Sequence, residues 1–283
     1  MFRLKGRTVI ITGASSGIGR ETAREFAKHG ANVVLAARNR EKLDAIARDI
    51  GDNATVVTVD VTERFSVAAL ARRTAEEYGA IDVLINNAGV GLFAPIADGN
   101  IDNARHLFEV NFWGAITCIQ AVTPYMTSQR RGHIVNVSSV AGHVSPPYMG
   151  MYSATKHALA AVSDSLRVEL SGNGIGVSTI YPGLTETSFM ENMLQEVEAP
   201  NIPPIARFVS STAVARRIFQ AVRFNLRDAY VSPEDVAAVA ADALIPGVSD
   251  WFMKFFIRPG RRPLHDVRFQ SEVSAEESAE TES

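Results

Sequence analysis

The sequence predicts an α/β protein built on one doubly wound parallel sheet of about seven strands, with helices on both faces. Short apolar runs alternate with longer amphipathic stretches along most of the chain, and the runs carry apolar residues at consecutive positions. A strand that is apolar on both faces needs a layer of helices on each side, and strands separated by helices run parallel. Ligands of such sheets bind at the carboxyl ends of the strands.

Seven segments are predicted as strands and seven as helices, in an alternating order. Consecutive aliphatic residues predict strands at residues 8–12, 32–37, 55–59, 81–85, 134–137 and 176–180, with 230–231 as an edge strand. Apolar residues at helical spacing predict helices at residues 18–29, 63–78, 101–129 with a break, 151–170 and 211–224. A further helix follows the second strand and ends at about residue 50. Gly30 and Gly51 follow the first two helices as stop signals, and Ser232-Pro233 begins a last helix.

The chain beyond residue 185 is less regular, and three of its segments differ from the core. Residues 186–210 combine prolines with apolar residues and are predicted to form a lid over a substrate. Residues 244–262 gather aromatic side chains followed by arginines. Residues 266–283 are rich in Glu, Ser and Ala, so we expect a disordered acidic tail. Residues 1–265 are expected to form a single domain, which includes residues 186–210 and 244–262.

Composition excludes several classes of function. The 283 residues carry a net charge of −3 with no basic stripe, so a nucleic acid partner is not expected. Cys118 is the single cysteine, which excludes an intramolecular disulfide and favours a buried, inert thiol. The six histidines form no pair at zinc-ligand spacing, so no metal site is expected. No secretory signal and no apolar run of membrane-spanning length are recognisable, which favours a cytoplasmic protein.

A glycine-rich turn follows the first predicted strand. Residues 12–19 read Thr-Gly-Ala-Ser-Ser-Gly-Ile-Gly and lead into the first helix. Such a turn lets backbone N–H groups approach a pyrophosphate at the N-terminus of a helix. Glycines also build ordinary tight turns between strands and helices, so the turn alone leaves both interpretations open.

The end of the second strand indicates which nucleotide the turn would serve. NAD sites place an acidic residue there to hold the ribose 2′-hydroxyl, whereas NADP sites need positive charge for a 2′-phosphate. This strand ends in Ala37-Arg38 without an acid, so Arg38 is predicted to bind the phosphate, assisted by Ser15 or Ser16. The alternative is a solvated arginine at the start of a helix.

Tyr152 and Lys156 are four residues apart on a predicted helix and therefore share one face. An ammonium group near a phenol stabilises the phenolate and lowers the tyrosine pKa from about 10 toward the working pH. The pair is therefore a candidate general acid and base. A structural pair on the helix surface is the alternative interpretation.

Taken together, the motifs resemble the classical short-chain dehydrogenase/reductase family, whose members have a Rossmann-type sheet. The residues that carry the resemblance are the glycine turn, Asn86-Asn87-Ala88-Gly89, Asn111, Ser139, Tyr152-Ser153-Ala154-Thr155-Lys156 and Pro182-Gly183. Ser139 lies thirteen residues before Tyr152, which is the spacing that the family uses. The match extends to about Thr187, roughly two thirds of the chain, and the joint occurrence of the motifs makes it specific.

The resemblance implies an oxidoreductase that interconverts a carbonyl and an alcohol with NADP(H), NAD(H) being less favoured. Tyr152 would exchange a proton with the substrate oxygen, which Ser139 would position. Lys156 would bind the nicotinamide ribose and lower the Tyr152 pKa, while Asn111 would hold a water in a relay to Lys156. The residues implied at the cofactor are Gly13, Ser15, Ser16, Ile18, Gly19, Arg38, Asp60, Val61, Asn87, Ala88, Gly89, Tyr152, Lys156, Pro182, Gly183, Thr185 and Thr187.

Two further expectations follow from the resemblance. Ala37-Arg38 is similar to the NADP-preferring members, which often carry another basic residue inside the glycine turn, where this chain has Ser15 and Ser16. The family pairs the two long helices predicted at residues 101–129 and 151–170 between subunits, so a homodimer or homotetramer is implied.

Apolar side chains that follow the later strands indicate a hydrophobic carbonyl or alcohol as the small-molecule substrate. They are Phe93, Val144, Tyr148, Met149, Phe189, Met190 and Met193. The same side chains would alternatively close the core or a subunit contact. For residues 244–262, packing over the cleft or onto a subunit is favoured, and peripheral contact with a membrane is the second hypothesis.

Two non-catalytic functions remain as alternatives to an enzyme. One is a sensor that binds NADP(H) without turnover, and the other is a scaffold that acts through residues 244–262. The complete set of Asn111, Ser139, Tyr152 and Lys156 argues against the sensor. The sequence does not identify the physiological substrate or the preferred direction of reaction.

Overall fold

A computed structural model describes residues 2–187, 189–190, 192–197, 207–245, 247, 251 and 253–254. The predicted tail at residues 266–283 lies outside the described residues, as do most of residues 244–262 and part of the predicted lid. None of the helices within the described residues is long and apolar enough to span a bilayer.

The central sheet has seven parallel strands, as the sequence predicts. Together with four short strands outside this sheet, the described residues form β1 (Thr8–Thr12), β2 (Asn32–Ala37), β3 (Ala54–Thr58), β4 (Val83–Asn86), β5 (Leu92–Phe93), β6 (Gly132–Val137), β7 (Ile175–Tyr181), β8 (Thr185–Glu186), β9 (Leu194–Gln195), β10 (Val209–Ser210) and β11 (Asp228–Tyr230). The order in the main sheet is β11-β7-β6-β4-β1-β2-β3. The remaining short strands form two separate parallel pairs, β5 with β9 and β8 with β10.

Helices cover both faces of the sheet, which confirms the doubly wound architecture. They are α1 (Gly17–Lys28), α2 (Arg40–Ile50), α3 (Arg64–Tyr78), α4 (Ile101–Phe108), α5 (Gly114–Ser128), α6 (Gly150–Glu169), α7 (Ser211–Phe224) and α8 (Pro233–Leu244). Within β1, Val9 and Ile11 join the core beneath α1, α2 and α7, whereas Ile10 joins the core beneath α3 and α5. All three are fully buried. This alternation explains why the strand is apolar at consecutive positions.

The observed elements differ from the predicted ones at two informative places. The fourth strand begins at Val83 and not at residue 81. Asp82 interrupts the apolar run because its carboxylate pairs with Arg7 at 3.1 Å and Arg131 at 2.9 Å, and accepts a hydrogen bond from the Thr8 backbone N–H. The predicted break between residues 101 and 129 is a π-helical turn, Glu109–Trp113, that joins α4 to α5.

The segment predicted as a lid is attached to the rest of the fold at two places. At its base, β8 pairs with β10. Further along, β9 pairs with β5, and Glu196 accepts hydrogen bonds from the Asn100 backbone N–H at 2.8 Å and from Asn103 Nδ2 at 2.7 Å. The segment is therefore tied both to its own base and to the N-terminus of α4.

Two buried titratable side chains lie inside the sheet layers. The thiol of Cys118 is buried on α5, and burial raises its pKa to about 12, in keeping with an inert thiol. His133 on β6 is 1% exposed, and its Nε2 lies 2.9 Å from the Ser178 hydroxyl. Burial, together with the charge of Arg167, lowers the His133 pKa from 6.5 to about 4.

We predict that His133 makes the protein less stable in mild acid. The unfolded chain binds a proton at this ring near pH 6.5, whereas the folded protein does so only near pH 4. The free energy of unfolding therefore falls as the pH drops through this window, by up to about 3 kcal/mol, and His133 adds no pH dependence above it. Urea unfolding between about pH 7 and pH 4 should show a shallower decline for His133→Gln than for the wild type.

Exposed His106 provides the matched control, because His106→Gln removes an imidazole that folding does not bury. An unchanged decline in His133→Gln would contradict the assignment of this pH dependence to His133.

Candidate active site

A cavity of about 1440 Å³ opens along the carboxyl ends of the central strands. This is the edge at which doubly wound sheets bind their ligands. Most of the predicted site residues line it, namely Gly13, Ser15, Ser16, Ile18, Arg38, Asp60, Val61, Asn87, Ala88, Gly89, Ser139, Tyr152, Lys156, Pro182, Gly183, Thr185 and Thr187. Gly19 and Asn111 are the predicted site residues that lie behind the wall, where they contact Asn87 and Gly89 respectively.

The glycine turn is built against the loop after β4. Gly13 has φ +65°, and a Cβ atom there would stand 2.8 Å from the Ala88 Cα. Asn87 Nδ2 donates to the carbonyl oxygens of Thr12 and Gly13 at 3.0 and 3.2 Å. The Thr12 hydroxyl accepts hydrogen bonds from the backbone N–H groups of Asn87 and Ala88 at 3.0 and 3.1 Å. The close approach of the two loops leaves no room for a side chain at Gly13.

Beside this turn, the N-terminus of α1 faces the cavity and suits an anionic ligand. Its N-cap residue, Ser16, makes no side-chain capping bond. Because Ser16, Gly17 and Ile18 all line the cavity, the first N–H groups of α1 lie at its wall. Unpaired N–H groups and the helix dipole together favour a phosphate at such a place.

At the ends of β2 and β3, Arg38 and Asp60 face the same part of the cavity. Partial burial opposes ionisation of Asp60, but hydrogen bonds from the Thr62 N–H and hydroxyl, with the charge of Arg38, lower its pKa overall. The two Thr62 bonds measure 3.0 and 2.8 Å and both end on Oδ1. Asp60 is therefore a fixed negative group, while the exposed Arg38 has no ion pair within the described residues.

On the other side of the sheet centre, α6 brings Tyr152 and Lys156 to the cavity wall. Lys156 Nζ lies 5.7 Å from the centroid of the Tyr152 ring and donates a hydrogen bond of 3.0 Å to the Val137 carbonyl. Ser139 follows β6, its hydroxyl donates to the Pro182 carbonyl at 3.3 Å, and it stands close enough to Tyr152 to favour the ionised phenol. The Ser139 hydroxyl also accepts from the Ala141 N–H at 3.1 Å, which fixes its position. Three predicted residues thus meet at one point.

The structure corrects the predicted pKa of Tyr152. A lowered value was expected from the neighbouring ammonium group, but burial raises the Tyr152 pKa to about 12, and the nearby Ser139 hydroxyl offsets this only in part. Burial also lowers the Lys156 pKa to about 8. In the protein without ligands, Lys156 donates its hydrogen bond to the Val137 carbonyl. Desolvation of the phenol therefore outweighs the effect of the nearby charge in the protein without ligands.

Asn111 lies in the π-helical turn and is 1% exposed. Its Oδ1 accepts from the Val90 N–H at 2.8 Å, and its Nδ2 donates to the Val90 carbonyl at 2.9 Å and to the Thr155 hydroxyl at 3.2 Å. A Cβ atom on Gly89 would stand 3.2 Å from Asn111 Oδ1 and 3.7 Å from Lys156 Nζ. Asn111 therefore connects the loop after β4 to α6 directly behind Lys156.

The predicted apolar wall divides into two parts. Met149, Phe189 and Met190 line the cavity next to Tyr152, and the Phe189 ring lies 5.8 Å from the Tyr152 ring. Phe93 and Met193 belong to a small core and are 5% and 8% exposed, and Met149, Phe189 and Met190 pack against that core from the cavity side. Both interpretations left open by the sequence therefore apply, because these three side chains line the cavity and also cover the core.

Sequence reasoning missed several residues that line the cavity. Lys42 on α2 lines the cavity, but its sequence context does not distinguish it from the other charged residues of that helix. Glu234 and Asp235, in the first turn of α8, border the opposite side, and a Cβ atom on Gly183 would collide with Asp235 Oδ1. The start of α8 was visible in the sequence as a capping pattern, but nothing there located it at the site. No group of three or more metal-binding side chains occurs among the described residues.

Comparison with known proteins agrees with this geometry. A family model described as short chain dehydrogenase matches residues 7–198. An uncharacterised oxidoreductase of Staphylococcus epidermidis is 32% identical over 237 residues, which cover 82% of this chain and 100% of that protein. Dehydrogenase/reductase SDR family member 7B of Rattus norvegicus is 37% identical over 198 residues, which cover 67% of this chain and 61% of that protein.

Solved structures show the same architecture. A short chain dehydrogenase/reductase from Burkholderia phymatum in complex with NAD has a TM-score of 0.79 and 27% identity, and the match covers 94% of this chain and 100% of that one. A short chain dehydrogenase from Burkholderia cenocepacia in complex with NADP has a TM-score of 0.77 and 25% identity, covering 89% and 99%.

The chain therefore belongs to the short-chain dehydrogenase/reductase family. It is an oxidoreductase of the kind that uses a nicotinamide cofactor, which confirms the class that the motifs predicted.

We predict that Gly13→Ala damages the nucleotide site more than a comparable glycine substitution elsewhere. Gly51 is the matched control, because it has φ +87° but open space around its Cβ position. Gly51→Ala should cost about 1–2 kcal/mol of stability from backbone strain alone. Gly13→Ala should cost roughly 1–3 kcal/mol more, because the new methyl group meets the Ala88 backbone.

Thermal unfolding measures the first difference, and a fluorescence titration with NADPH and NADH measures the loss of binding expected only in Gly13→Ala. Equal stability and unchanged binding in the two variants would show that the two loops tolerate a side chain between them.

Proposed function

We propose that this protein is an NADP(H)-dependent oxidoreductase that interconverts a hydrophobic carbonyl compound and the corresponding alcohol. The observation that carries the proposal is the meeting of Ser139, Tyr152 and Lys156 beside an apolar wall, in the same cavity that Arg38 borders. Between β2 and β6 lie two strands, so the two groups stand about 14 Å apart across the sheet edge at normal strand spacing. This span suits an extended dinucleotide.

The residues present fit a nicotinamide dinucleotide. The glycine turn and the open N-terminus of α1 offer N–H groups to a pyrophosphate. When bound, the cofactor supplies or accepts the hydride, and the protein has to provide orientation and one proton.

Tyr152 is assigned as the general acid and base. A pKa of about 12 keeps its hydroxyl protonated at neutral pH, which is the state that donates to a carbonyl oxygen. Ser139 lines the same cavity beside Tyr152, so both hydroxyl groups can face one substrate oxygen. Lys156, with a pKa of about 8, is charged at neutral pH and stabilises the phenolate that remains after proton donation. The water relay implied for Asn111 stays a prediction.

Two features support the finer assignments of cofactor and substrate. Arg38 stands at the end of β2 without an ion pair among the described residues, which favours NADP(H) over NAD(H) and therefore reduction as the working direction. Met149, Phe189 and Met190 cover the side of the cavity next to Tyr152, which favours an apolar substrate. Residues 186–210 are assigned as the substrate lid, since Phe189 and Met190 belong to them.

The surroundings of the enzyme also remain proposals. Exposed Trp113 and Val168, next to or within the two long helices, support the homodimer or homotetramer that the family pattern implies. A cytoplasmic location and membrane contact through residues 244–262 stay predictions, and so does the scaffold alternative that depends on the same segment.

We predict that Tyr152→Phe abolishes turnover but preserves the fold and cofactor binding. Loss of a positioned proton donor should lower turnover by a factor of about 10²–10⁴, because the ring still fills its place while the hydroxyl is gone. Activity is measured as consumption of NADPH with a panel of hydrophobic ketones and aldehydes. Tyr125→Phe, on α5 away from the cavity, is the control and should retain full activity. Normal turnover in Tyr152→Phe would refute the assigned role.

We predict that Arg38→Ala weakens NADPH binding by roughly tenfold and leaves NADH binding unchanged, since only NADPH carries the 2′-phosphate. Arg40→Ala is the matched control, because that guanidinium group lies 3.4 Å from Asp44 and does not line the cavity. Binding is measured by fluorescence titration with both cofactors. A preference of the wild type for NADH, or an equal effect on both cofactors, would overturn the NADP(H) assignment.

A further inference from the structure

A small groove adjoins the adenosine side of the main cavity. It has a volume of about 460 Å³. Ser15, Ser16 and Lys42 line both the groove and the main cavity, so these three residues stand where the two spaces meet. Arg38 lines the main cavity at the same side. The glycine turn after β1 and the turn after β2, whose strands are neighbours, therefore bring two hydroxyl groups and two cations to the same side of the cavity.

The other cations of the groove are already neutralised. Arg20 Nε lies 2.9 Å from Glu21, and Arg24 contacts both Glu21 at 2.9 Å and Asp49 at 2.8 Å. The exposed Lys42 makes no side-chain hydrogen bond or ion pair within the part of the chain that the structure describes. Its ammonium group is thus available to an external anion, whereas the two arginines are held by carboxylates.

The start of α2 fixes where Lys42 lies. Asn39 Oδ1 accepts a hydrogen bond of 2.9 Å from the Lys42 backbone N–H, which caps the helix and holds Lys42 in its first turn. The positive end of the helix dipole adds to the field of the lysine at this point. Arg38 directly precedes the capping residue, so one short turn presents both cations to the cavity.

We propose that Lys42 binds the 2′-phosphate of the cofactor together with Arg38 and thereby contributes to the choice of NADP(H). This inference rests on the proposed function, because it names a second specificity residue of the same nucleotide site. A phosphate dianion needs more than one cation for full compensation, and the glycine turn supplies only the neutral hydroxyl groups of Ser15 and Ser16. The second charge comes from α2 instead.

The test uses two nucleotides that differ only in the 2′-phosphate, 2′,5′-ADP and 5′-AMP, so it needs neither turnover nor a known substrate. Both are titrated by calorimetry into the full-length wild type, Lys42→Met, Lys42→Arg, Arg38→Ala and Arg48→Met. Arg48 is the matched control, an exposed cation on the same helix that lines neither cavity. Thermal unfolding confirms that each variant is folded.

We expect Lys42→Met to bind 2′,5′-ADP about tenfold more weakly than the wild type and to bind 5′-AMP equally well. Lys42→Arg should bind both nucleotides nearly as the wild type does, and Arg48→Met should change the affinity for neither nucleotide. If Lys42→Met left 2′,5′-ADP binding unchanged while Arg38→Ala weakened it, the role of Lys42 would be refuted and the NADP(H) assignment would stand. An equal loss for both nucleotides in Lys42→Met would also refute it. If the wild type bound the two nucleotides equally, the NADP(H) assignment itself would fail.

Discussion

The contact between the turn after β1 and the loop after β4 determines where the rest of the site lies. At this point the two backbones approach so closely that only glycine fits at position 13. The side chains of Thr12 and Asn87 hold the two loops together through four hydrogen bonds. Because β1 and β4 are neighbours in the sheet, this contact forms the floor of the cavity. The N-terminus of α1 stands on one side of it, and the loop that Asn111 supports stands on the other.

Much of the fold is predictable from the sequence because the central strands are buried on both faces. The interior of a strand such as β1 must then be apolar, and the limits of β1, Thr8 and Thr12, directly flank its apolar run. Prediction is less accurate where one residue serves a local purpose. β4 begins only after Asp82, whose carboxylate is held by two arginines and a backbone N–H. Such a pairing depends on contacts distant in sequence, which periodicity does not contain.

The candidate site also contains residues that the sequence predicts and residues that it does not. Ser139, Tyr152 and Lys156 are predictable because they belong to motifs at fixed spacing. Lys42 is not, because a lysine on a charged, amphipathic helix has the same sequence signature whether it meets a ligand or only solvent. Asp235 is not predictable as a residue of the cavity for another reason, because it lies there only through the packing of α8 against Gly183. In both cases the decisive information is the packing of one element against another.

The Tyr152 pKa shows why spacing alone does not determine chemistry. Two residues four apart on a helix share a face, but the direction of the lysine side chain depends on which acceptor it finds. In this protein the acceptor is the Val137 carbonyl at the end of β6. The phenol is itself buried, and desolvation dominates its pKa. The resting state therefore stores the proton on the tyrosine.

The pairing of β8 with β10 has a consequence for the evolution of this enzyme. It brings the two ends of residues 186–210 together, so one contact fixes both ends of that segment. Lengthening a loop between fixed ends costs little free energy, only about 0.6 kcal/mol for each doubling. Residues of this segment outside its contacts with β5 and α4 can therefore change in number while the strands of the central sheet remain in register. New substrates become accessible to such a scaffold through exchange of one segment, without reinvention of the hydride-transfer machinery.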